Sequence, residues 1–599
     1  MDLNFNNLST DSNGRLRFSG ITSGIDTQGL VDSIIKSKRI VATQIEDKIS
    51  VNETRVTAYN ELKTLSANFA AQLDLLRNPS GYQANDIFES KVGFAESQST
   101  SGAPSGHVPS AASAILGISM TNQADASSHV VEVVQTAKAN QVRSDMFSSK
   151  TDSLSSLGFT TGSLEINGQT VNVGSNDSLL DLRDKINGST DMNVSASIVS
   201  VSSTEHYLVL TSKDTGVDNA ITFGTSTQAV HNSLGLTATG TDTAKTQIQE
   251  AKNAIIRVDN LGVDIERPSN AIDDVLEGIT LDLYKAEANT EIAIDVEADL
   301  SSIKTTISDF VDSYNALKDF ISDQNSQVVR EEGGEEEYGV LYGDTTMRQI
   351  SQKLSQVVSS SVPGLDDGFA SLGQVGIDIN SDYRLEIDNE EFDNNLLTNL
   401  KNIQKLFGLD VSVSDSRVSV ASISQSTSYQ VDSNGDPLPY YLSIAGTDAD
   451  GKVISATMGE TAGAGTAGSN NGSVTTSGNI LTMTDSTGAN GLKLIFTGDA
   501  NLGPVEDIEV SFTRGIADSL FDFFNNVSQT SGAIDQARND TIDQNSGLQE
   551  SVDKIDARLA LQRATLTNKF LAMEDAMFRL QTLQDQLEQQ ITAMNGGNK

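Results

Sequence analysis

Apolar residues follow a heptad spacing along the C-terminal region, from Leu548 to Met594, with no Pro or Gly among them. Successive positions are three or four residues apart, and a doubled four-residue step around Leu559 is a stutter that relaxes a left-handed supercoil without ending the helix. A stripe this narrow cannot bury itself, so it predicts a long coiled-coil helix with partner helices. All members of the series but Arg563 and Gln584 are apolar: Leu548, Val552, Ile555, Leu559, Arg563, Leu566, Phe570, Met573, Met577, Leu580, Gln584, Leu587, Ile591 and Met594.

The N-terminal region carries a second stripe of this kind, between Asp26 and Arg77. Asp26 is suited to cap a helix, and Asn78-Pro79 is suited to end it. Such a helix would reach roughly 75 Å at 1.5 Å per residue. Long amphipathic helices at both ends predict termini that lie together, with the rest of the chain looped out between them. The apolar positions are Leu30, Ile34, Val41, Ile45, Ile49, Val56, Tyr59, Leu62, Leu65, Phe69, Leu73 and Leu76.

Short alternating runs separated by Gly, Ser, Asn and Asp replace this pattern beyond Pro79. Alternation with a period of two predicts strands, and Ser178–Asn187 is a short capped helix among them. Helical spacing returns at Ser301 and again near Met347. The strand-like runs are His129–Val134, Ser163–Asn167, Thr170–Val173, Val194–Val199, Tyr207–Leu210, Ile255–Asp259 and Ile279–Leu283.

These patterns predict an α+β multidomain protein. Its long N- and C-terminal helices form a coiled-coil or helical-bundle leg, and mainly-β domains are inserted between them. One outer β domain, at about 150–245, is expected to be inserted in the other. The predicted divisions are a disordered tail (1–25), the N-terminal helix (26–78), outer β domains (79–300), a helical domain pairing with the N-terminal helix (301–409), an additional β region (410–515) and C-terminal coiled-coil helices (516–599).

Charge is distributed unevenly over the 599 residues, whose formal net charge is -41. Residues 1–80 hold nine Lys and Arg against nine Asp and Glu, residues 548–599 hold six against seven, and 25 against 65 remain between them. Neutral ends can associate closely with copies of themselves, whereas an acidic middle repels them and stays in solvent. Nucleic acid and anionic membrane are therefore not expected partners. A salty habitat would explain the magnitude equally well, but not the asymmetry.

Cysteine chemistry is excluded in any compartment because the chain has no Cys. No stretch of about 18 apolar residues is present, and the polar, acidic start lacks the pattern of a secretory signal peptide. The sequence thus predicts neither Sec targeting nor membrane insertion.

Candidate chemical motifs are weak. The four His, at positions 107, 129, 206 and 231, are each expected to be surface or strand residues, and a transition-metal site has little support. Gly463–Gly468 matches G-x-G-x-x-G but lacks a following helix. Asp432–Asp436 opens like a Ca²⁺ loop, yet Pro437 replaces its Gly, so a turn is the better interpretation. No catalytic, cofactor-binding or metal site is predicted.

Several ordered motifs resemble one family. The segment from Ser19 to Thr27 (SGITSGIDT) leads into the first helix, and Gly162–Asn187 is similar to a small β module shared by flagellins and filament cap proteins. The chain resembles the flagellar filament cap family, also called hook-associated protein 2 or FliD. Many members carry a Pro where this chain has Arg39-Ile40-Val41. Further similar motifs are Phe310–Leu317, Leu341–Asp344, Leu372–Ile377, Ser511–Ala517 and Phe570–Glu574.

This resemblance implies a nonenzymatic cap at the distal tip of the bacterial flagellum. There a homo-oligomeric ring of about five subunits would promote flagellin polymerisation. Its implied partners are flagellin, hook–filament junction proteins and a flagellar export chaperone, and it would be secreted through the flagellar export apparatus. Two alternatives are a flagellin-like filament or junction subunit, and a surface adhesin whose acidic β domains bind host mucus or glycans.

The apolar stripes are the candidate functional motif. An ordinary intramolecular bundle accounts for their central portions. The outer ends, at 21–34 and 580–594, have nothing left in sequence to cover them. We therefore expect contacts with other subunits at these ends and at the motif before them: Ile21, Ile25, Leu30, Ile34, Phe570, Met573, Met577, Leu580, Leu587 and Ile591.

Overall fold

The structure is a computed structural model. It describes residues 8–10, 16–18, 26–77, 86–224, 228–329, 336–359, 361–365, 368–423, 427, 430–432, 437–462, 471–484 and 488–596. Ile21, Ile25, the Gly463–Gly468 motif and most of the Ca²⁺-like loop lie outside the described residues. Within 1–25, the predicted disordered tail, strands β1 (Leu8–Thr10) and β2 (Leu16–Phe18) form an antiparallel pair.

Helices dominate both ends of the chain and the region before the last β sheet. The first and last of them are by far the longest, at 50 and 64 residues. The described helices are α1 (Thr27–Leu76), α2 (Ala112–Ile115), α3 (Leu179–Asn187), α4 (Gln228–Ser233), α5 (Leu300–Asn325), α6 (Thr345–Val358), α7 (Asn389–Phe407), α8 (Ile516–Ser528) and α9 (Ala533–Gly596).

The start of α1 follows directly from its sequence. Asp26 accepts a hydrogen bond from the backbone N–H of Gly29 at 2.8 Å, which satisfies one of the free donors of the first turn. The helix ends at Leu76, before Asn78-Pro79, as predicted. In contrast, α9 begins at Ala533, about four turns earlier than the heptad series indicates, and it passes through Gly547 without a break.

A helical core joins the C-terminal half of α1 to α5, α6, α7, α8 and the start of α9. Its centre is Phe69, whose ring lies 4.9 Å from that of Phe524 and 5.7 Å from that of Phe310, centroid to centroid. Edge-to-face and offset contacts of this kind add to the hydrophobic stabilisation. On α1, the buried residues of this core begin at Ala58, so the first eight turns of α1 lie beyond it.

The region between α1 and α5 consists of two β units. Strands β3–β5 and β12–β16 form a five-stranded sheet, ordered β13-β12-β5-β16-β3, and a three-stranded sheet, ordered β14-β15-β4. Their bounds are β3 (Lys91–Ser99), β4 (Leu116–Met120), β5 (Ser128–Gln135), β12 (Ala254–Val258), β13 (Ile265–Arg267), β14 (Ala271–Leu276), β15 (Ile279–Leu283) and β16 (Thr290–Ala298).

The second β unit is inserted between β5 and β12 and has its own core. Its sheet has the order β11-β6-β10-β9 beside the hairpin β7–β8, and α3 begins with a capping box formed by Ser178 and Asp181. The predicted strands and the short capped helix are confirmed here. The bounds are β6 (Gln141–Arg143), β7 (Gly162–Ile166), β8 (Gln169–Val173), β9 (Val194–Ser202), β10 (Glu205–Ser212) and β11 (Gln247–Gln249).

A further β unit leaves the helical core between α7 and α8. Its two ends meet, because the N–H of Gly515 donates to the carbonyl oxygen of Gly408 at 2.7 Å. A Cβ on Gly515 would lie 2.4 Å from that oxygen, so only Gly permits this approach. The eight-stranded sheet, ordered β21-β30-β25-β26-β27-β28-β29-β22, encloses a separate apolar core.

The remaining strands complete this unit and three small hairpins. Strands β17–β18, β19–β20 and β23–β24 each form an antiparallel pair. Together with the paired terminal helices, these β units confirm the α+β multidomain class. The bounds are β17 (Gln327–Val329), β18 (Glu336–Tyr338), β19 (Ile377–Ile379), β20 (Leu385–Ile387), β21 (Leu409–Val413), β22 (Val418–Ser422), β23 (Gln430–Val431), β24 (Pro437–Leu438), β25 (Tyr440–Ile444), β26 (Ala456–Gly459), β27 (Asn471–Ser477), β28 (Ile480–Met483), β29 (Lys493–Phe496) and β30 (Val505–Arg514).

Candidate assembly surface

The two terminal helices pair in antiparallel orientation, and polar side chains cross-link them along their length. Near the helical core, Lys63 on α1 lies 2.8 Å from the carboxylate of Asp535 on α9. Further out, the side chain of Asn52 donates to that of Asn545 at 2.9 Å. From the core outward, the residue numbers of the paired positions decrease on α1 and increase on α9, so the two helices are antiparallel. We name the two-helix part beyond the core, Thr27–Val56 with Ile542–Leu571, the stalk.

Arg39 provides the most extensive cross-link in the stalk. Its guanidinium group donates to Asp556 on α9 at 3.0 Å and to Glu46, two turns along α1, at 2.8–3.0 Å. These hydrogen bonds, first to Glu46 and then to Asp556, raise the pKa of Arg39 above its usual value. Arginine fits this role because its planar group can bind two carboxylates at once. The cross-link fixes which turns of α1 and α9 face each other.

Arg563, a polar member of the heptad series, also has a partner across the stalk. Its guanidinium pairs with Asp32 near the start of α1. The apolar part of the interface includes Val31 and Ala42 on α1 and Val552 and Leu559 on α9, all of which are buried. The stalk is therefore held by apolar contacts and flanked by ion pairs, as in other coiled coils.

The register leaves α9 much longer than its partner. Thr27, the first residue of α1, lines a small cleft together with Phe570 and Leu571. Beyond that level, α9 continues from 572 to Gly596. This part, which we name the overhang, is about 37 Å long at 1.5 Å per residue.

Large apolar side chains on the overhang are exposed. Leu580, Leu587 and Ile591 are 66%, 56% and 54% exposed, although a soluble helix normally buries such a stripe. Contiguous exposed apolar surface of this kind is typical of protein interaction sites. The structure thus places an apolar surface where the sequence predicts subunit contacts.

The predicted contact residues divide into three groups. On the overhang, Met573, Leu580, Leu587 and Ile591 are exposed. Leu30, in the first turn of α1, is exposed as well. Ile34, Phe570 and Met577 are partly buried. Ile21 and Ile25 lie outside the described residues. The register brings Leu30 and Ile34 to the same end of the stalk as Phe570, but whether any of these residues touches another subunit stays a prediction.

Two exposed residues were missed by the heptad series. Phe578 and Leu583 are 60% and 56% exposed and flank the stripe on the overhang. A search restricted to one seam overlooks them, because they occupy the positions beside it. A count of all large apolar residues after Phe570 would have found both, since a three- or four-helix assembly uses such flanking positions.

The histidines do not all match the prediction. His129 lies in β5 and contacts Asp259, and His206 is a buried strand residue in β10. The expectation that His231 is a surface or strand residue is wrong, because it is fully buried in the short helix α4 beside Phe223. Burial lowers its pKa. A six-residue helix has too little periodicity for sequence reasoning to detect.

In the part of the chain that the structure describes, no cluster of three or more His, Asp or Glu has a geometry that could hold a metal ion. Among the helices described, none combines the length and the apolar character needed to cross a bilayer.

The fold and the apolar overhang define a class of assembly proteins, in which paired terminal helices carry β units between them. The family model for the C-terminus of flagellar hook-associated protein 2 matches residues 251–582, and the model for its N-terminus matches residues 23–140. The chain therefore belongs to the flagellar hook-associated protein 2 family.

Two sequence relatives agree with this assignment. Flagellar hook-associated protein 2 of Escherichia coli K12 is 30% identical over 378 residues, which cover 62% of this chain and 75% of the relative. The A-type protein of Pseudomonas aeruginosa is 26% identical over 406 residues, covering 65% and 80%. A crystal structure of the D1-D2-D3 domains of the flagellar cap protein FliD from Escherichia coli is 26% identical, covers 59% of this chain and 90% of its own, and has a TM-score of 0.45. Family membership supports a filament cap over a flagellin-like subunit or an adhesin.

Proposed function

We propose that this protein caps the distal end of the flagellar filament as a homo-oligomeric ring of about five subunits. In this role it promotes the polymerisation of flagellin beneath it, and its own contribution is mechanical, not enzymatic. It reaches the filament tip through the flagellar export apparatus, with an export chaperone and hook–filament junction proteins as further partners. The family assignment supports the filament tip as its place of action.

The observation that carries this proposal is the exposed apolar overhang. Full burial of one Leu or Ile side chain stabilises a contact by about 2 kcal/mol before the costs of association are subtracted. Several such residues on one helix therefore provide the driving force for contacts with other subunits. The contact surface that we propose comprises Ile21, Ile25, Leu30, Ile34, Phe570, Met573, Met577, Leu580, Leu587 and Ile591.

The charge distribution supports different roles for the terminal helices and for the acidic β units between them. Near-neutral terminal helices can pack against each other, whereas the acidic β units repel their counterparts and stay in solvent. A closed ring repeats one heterologous interface, which requires two different surfaces on each subunit. Such a protein would place its helices inward and its β units outward.

Truncation tests the proposal in a flagellated strain that lacks its own copy of this protein. Deletion of residues 580–599, or of residues 1–30, should abolish filament growth, because the contact surface is removed. Circular dichroism should show that residues 79–300 stay folded in both truncated proteins. Normal filaments and swimming after either deletion would refute the proposed role of the termini.

A matched substitution separates the apolar contacts from helix length. The triple variant L580N, L587N and I591N should lose filament growth, whereas Asn at the neighbouring polar positions Gln581 and Gln589 should not. Equal loss in both variants would show that the overhang needs only its helical form, and the apolar contacts would then be discarded.

A further inference from the structure

The stalk has two grooves on opposite sides of the α1–α9 seam. The first, which we name groove A, has a volume of about 630 Å³ and an apolar floor of Ile49, Val56 and Ile542. The second, groove B, has a volume of about 390 Å³ and is lined by Val51 and Leu548 among others. Val51 is 54% exposed and Ile542 is 43% exposed. Each side of the stalk thus offers apolar surface to a partner.

The rims of the two grooves differ in charge. Groove A is bordered by Glu53, Glu550 and Asp553, with no Lys or Arg among its lining residues. Asp543 extends this acidic edge, because it precedes the rim residue Glu550 by seven positions and so shares its helix face. In the part of the chain that the structure describes, Glu53, Asp543 and Asp553 have no ion-pair partner.

Groove B has cations that are available for pairing. Lys48 lines it. Arg558 lies 14 residues beyond the lining residue Gln544, which places it on the same helix face. Among the described residues, neither cation forms an ion pair. Asp47 balances Lys48 within this lining, so the positive charge of this face comes from Arg558, whereas groove A is negative.

The two grooves also overlap in height along the stalk. Groove A spans residues 49–56 of α1, and groove B spans residues 47–52. Copies in a closed ring are related by rotation without translation, so the two halves of their shared interface must lie at one level along the ring axis. Opposite charge, apolar floors and overlapping height are together what a heterologous contact between copies requires.

We propose that the stalks of neighbouring copies pack side by side, with groove B of one copy, edged by Lys48, against groove A of the next. This packing rests on the proposed ring and names the surface that builds it. Val51 of one copy then covers Ile542 of its neighbour, and Lys48 and Arg558 face Glu53 and Asp553. The occupant of each groove is a second copy of this chain.

Disulfide trapping tests this contact directly, because the 599-residue chain contains no Cys of its own. The variants V51C and I542C, mixed and mildly oxidised, should form a cross-linked dimer, while each variant alone should not. V199C offers a matched control, since Val199 is 49% exposed but lies in β9, far from the stalk in sequence. V51C mixed with V199C should stay uncross-linked.

Charge reversal adds a second readout. K48E should raise the concentration needed for half-maximal assembly about fivefold, as expected for the loss of a surface ion pair. The double variant K48E and E53K should restore assembly, whereas K213E, the same change on the inserted β unit, should have no effect. Circular dichroism melting curves verify that each variant is folded.

The outcomes separate the two proposals. Rings that form without a cross-link between V51C and I542C overturn the side-by-side packing and leave the cap function standing. Cross-linking of V51C with itself shows an isologous contact and also overturns it. A protein that forms no oligomer at any concentration, with dispensable termini, overturns the proposed ring itself.

Discussion

Phe69 and Phe578 form a natural pair for separating stability from assembly. Phe69 is completely buried in the helical core, where its ring contacts residues of α5 and α8. Phe578 has the same chemistry but is 60% exposed on the overhang. The same substitution, Phe to Ala, should therefore act on different properties at the two positions.

The size of the effect at Phe69 follows from its packing. F69A removes a full aromatic side chain from a closed core and leaves a cavity between three helices, which typically costs about 3–5 kcal/mol. Because the chain has several cores, this loss should appear in the helical unit and not in the β units. F578A removes a half-exposed ring, and its cost to the monomer should stay below about 0.5 kcal/mol.

Urea denaturation monitored by circular dichroism at 222 nm measures the helical unit, and filament growth in a complemented strain measures assembly. F69A should move the helical transition to lower urea, and F578A should leave it in place while reducing filament growth. If F578A destabilises the helical unit as much as F69A does, the overhang is folded against the body of the subunit. If F69A leaves the transition unchanged, the core assignment is wrong.

Three smaller perturbations test other parts of the structure. Lys63 donates to Asp535 and lowers the pKa of that carboxyl. The ionised carboxylate therefore stabilises the fold above its unfolded-state pKa, and this contribution is lost as the pH falls through the lower folded-state pKa. In an acid titration, the helical signal of D535N should therefore depend less on pH. S178A removes the cap of α3 and should cost about 1 kcal/mol in denaturation of the inserted β unit. Deletion of 409–514 joins two ends that already touch, and the helical signal should melt at an unchanged temperature.

Local signals predicted the helix start at Asp26, the capped helix at Ser178 and most strands of the outer β units. In each case a few adjacent residues determine the local structure. The early start of α9 at Ala533 was not predicted, because Ala533, Ile534 and Ala537 pack into the helical core and do not follow the heptad seam. The strand order of the eight-stranded sheet was equally inaccessible, since it depends on pairing between distant segments. Burial of His231 requires the fold around it.

The length of the overhang could not be predicted from the sequence either, because it depends on the register between α1 and α9. Heptad spacing indicates that α1 and α9 can pair, but sliding one helix by seven residues would again place apolar positions opposite each other. Polar pairs remove this degeneracy, since a slip separates Arg39 from Asp556 and Asn52 from Asn545. Arg39 thus contributes to where the apolar surface begins.

Near-neutral net charge conceals an ordered arrangement in the terminal helices. Counted along the sequence, the acidic and basic residues of the stalk almost cancel, which implies only that such surfaces can approach each other. Once α1 and α9 pair, Glu53, Glu550 and Asp553 border one groove, whereas Lys48 borders the other beside Asp47, with Arg558 on the same face. Charges that cancel within one subunit then attract the oppositely charged side of a neighbouring subunit, whereas two sides of like charge repel each other. The same charges therefore favour a head-to-tail ring over a symmetric dimer, and exchanging Lys48 and Glu53 should preserve that preference, whereas reversing either one should weaken it.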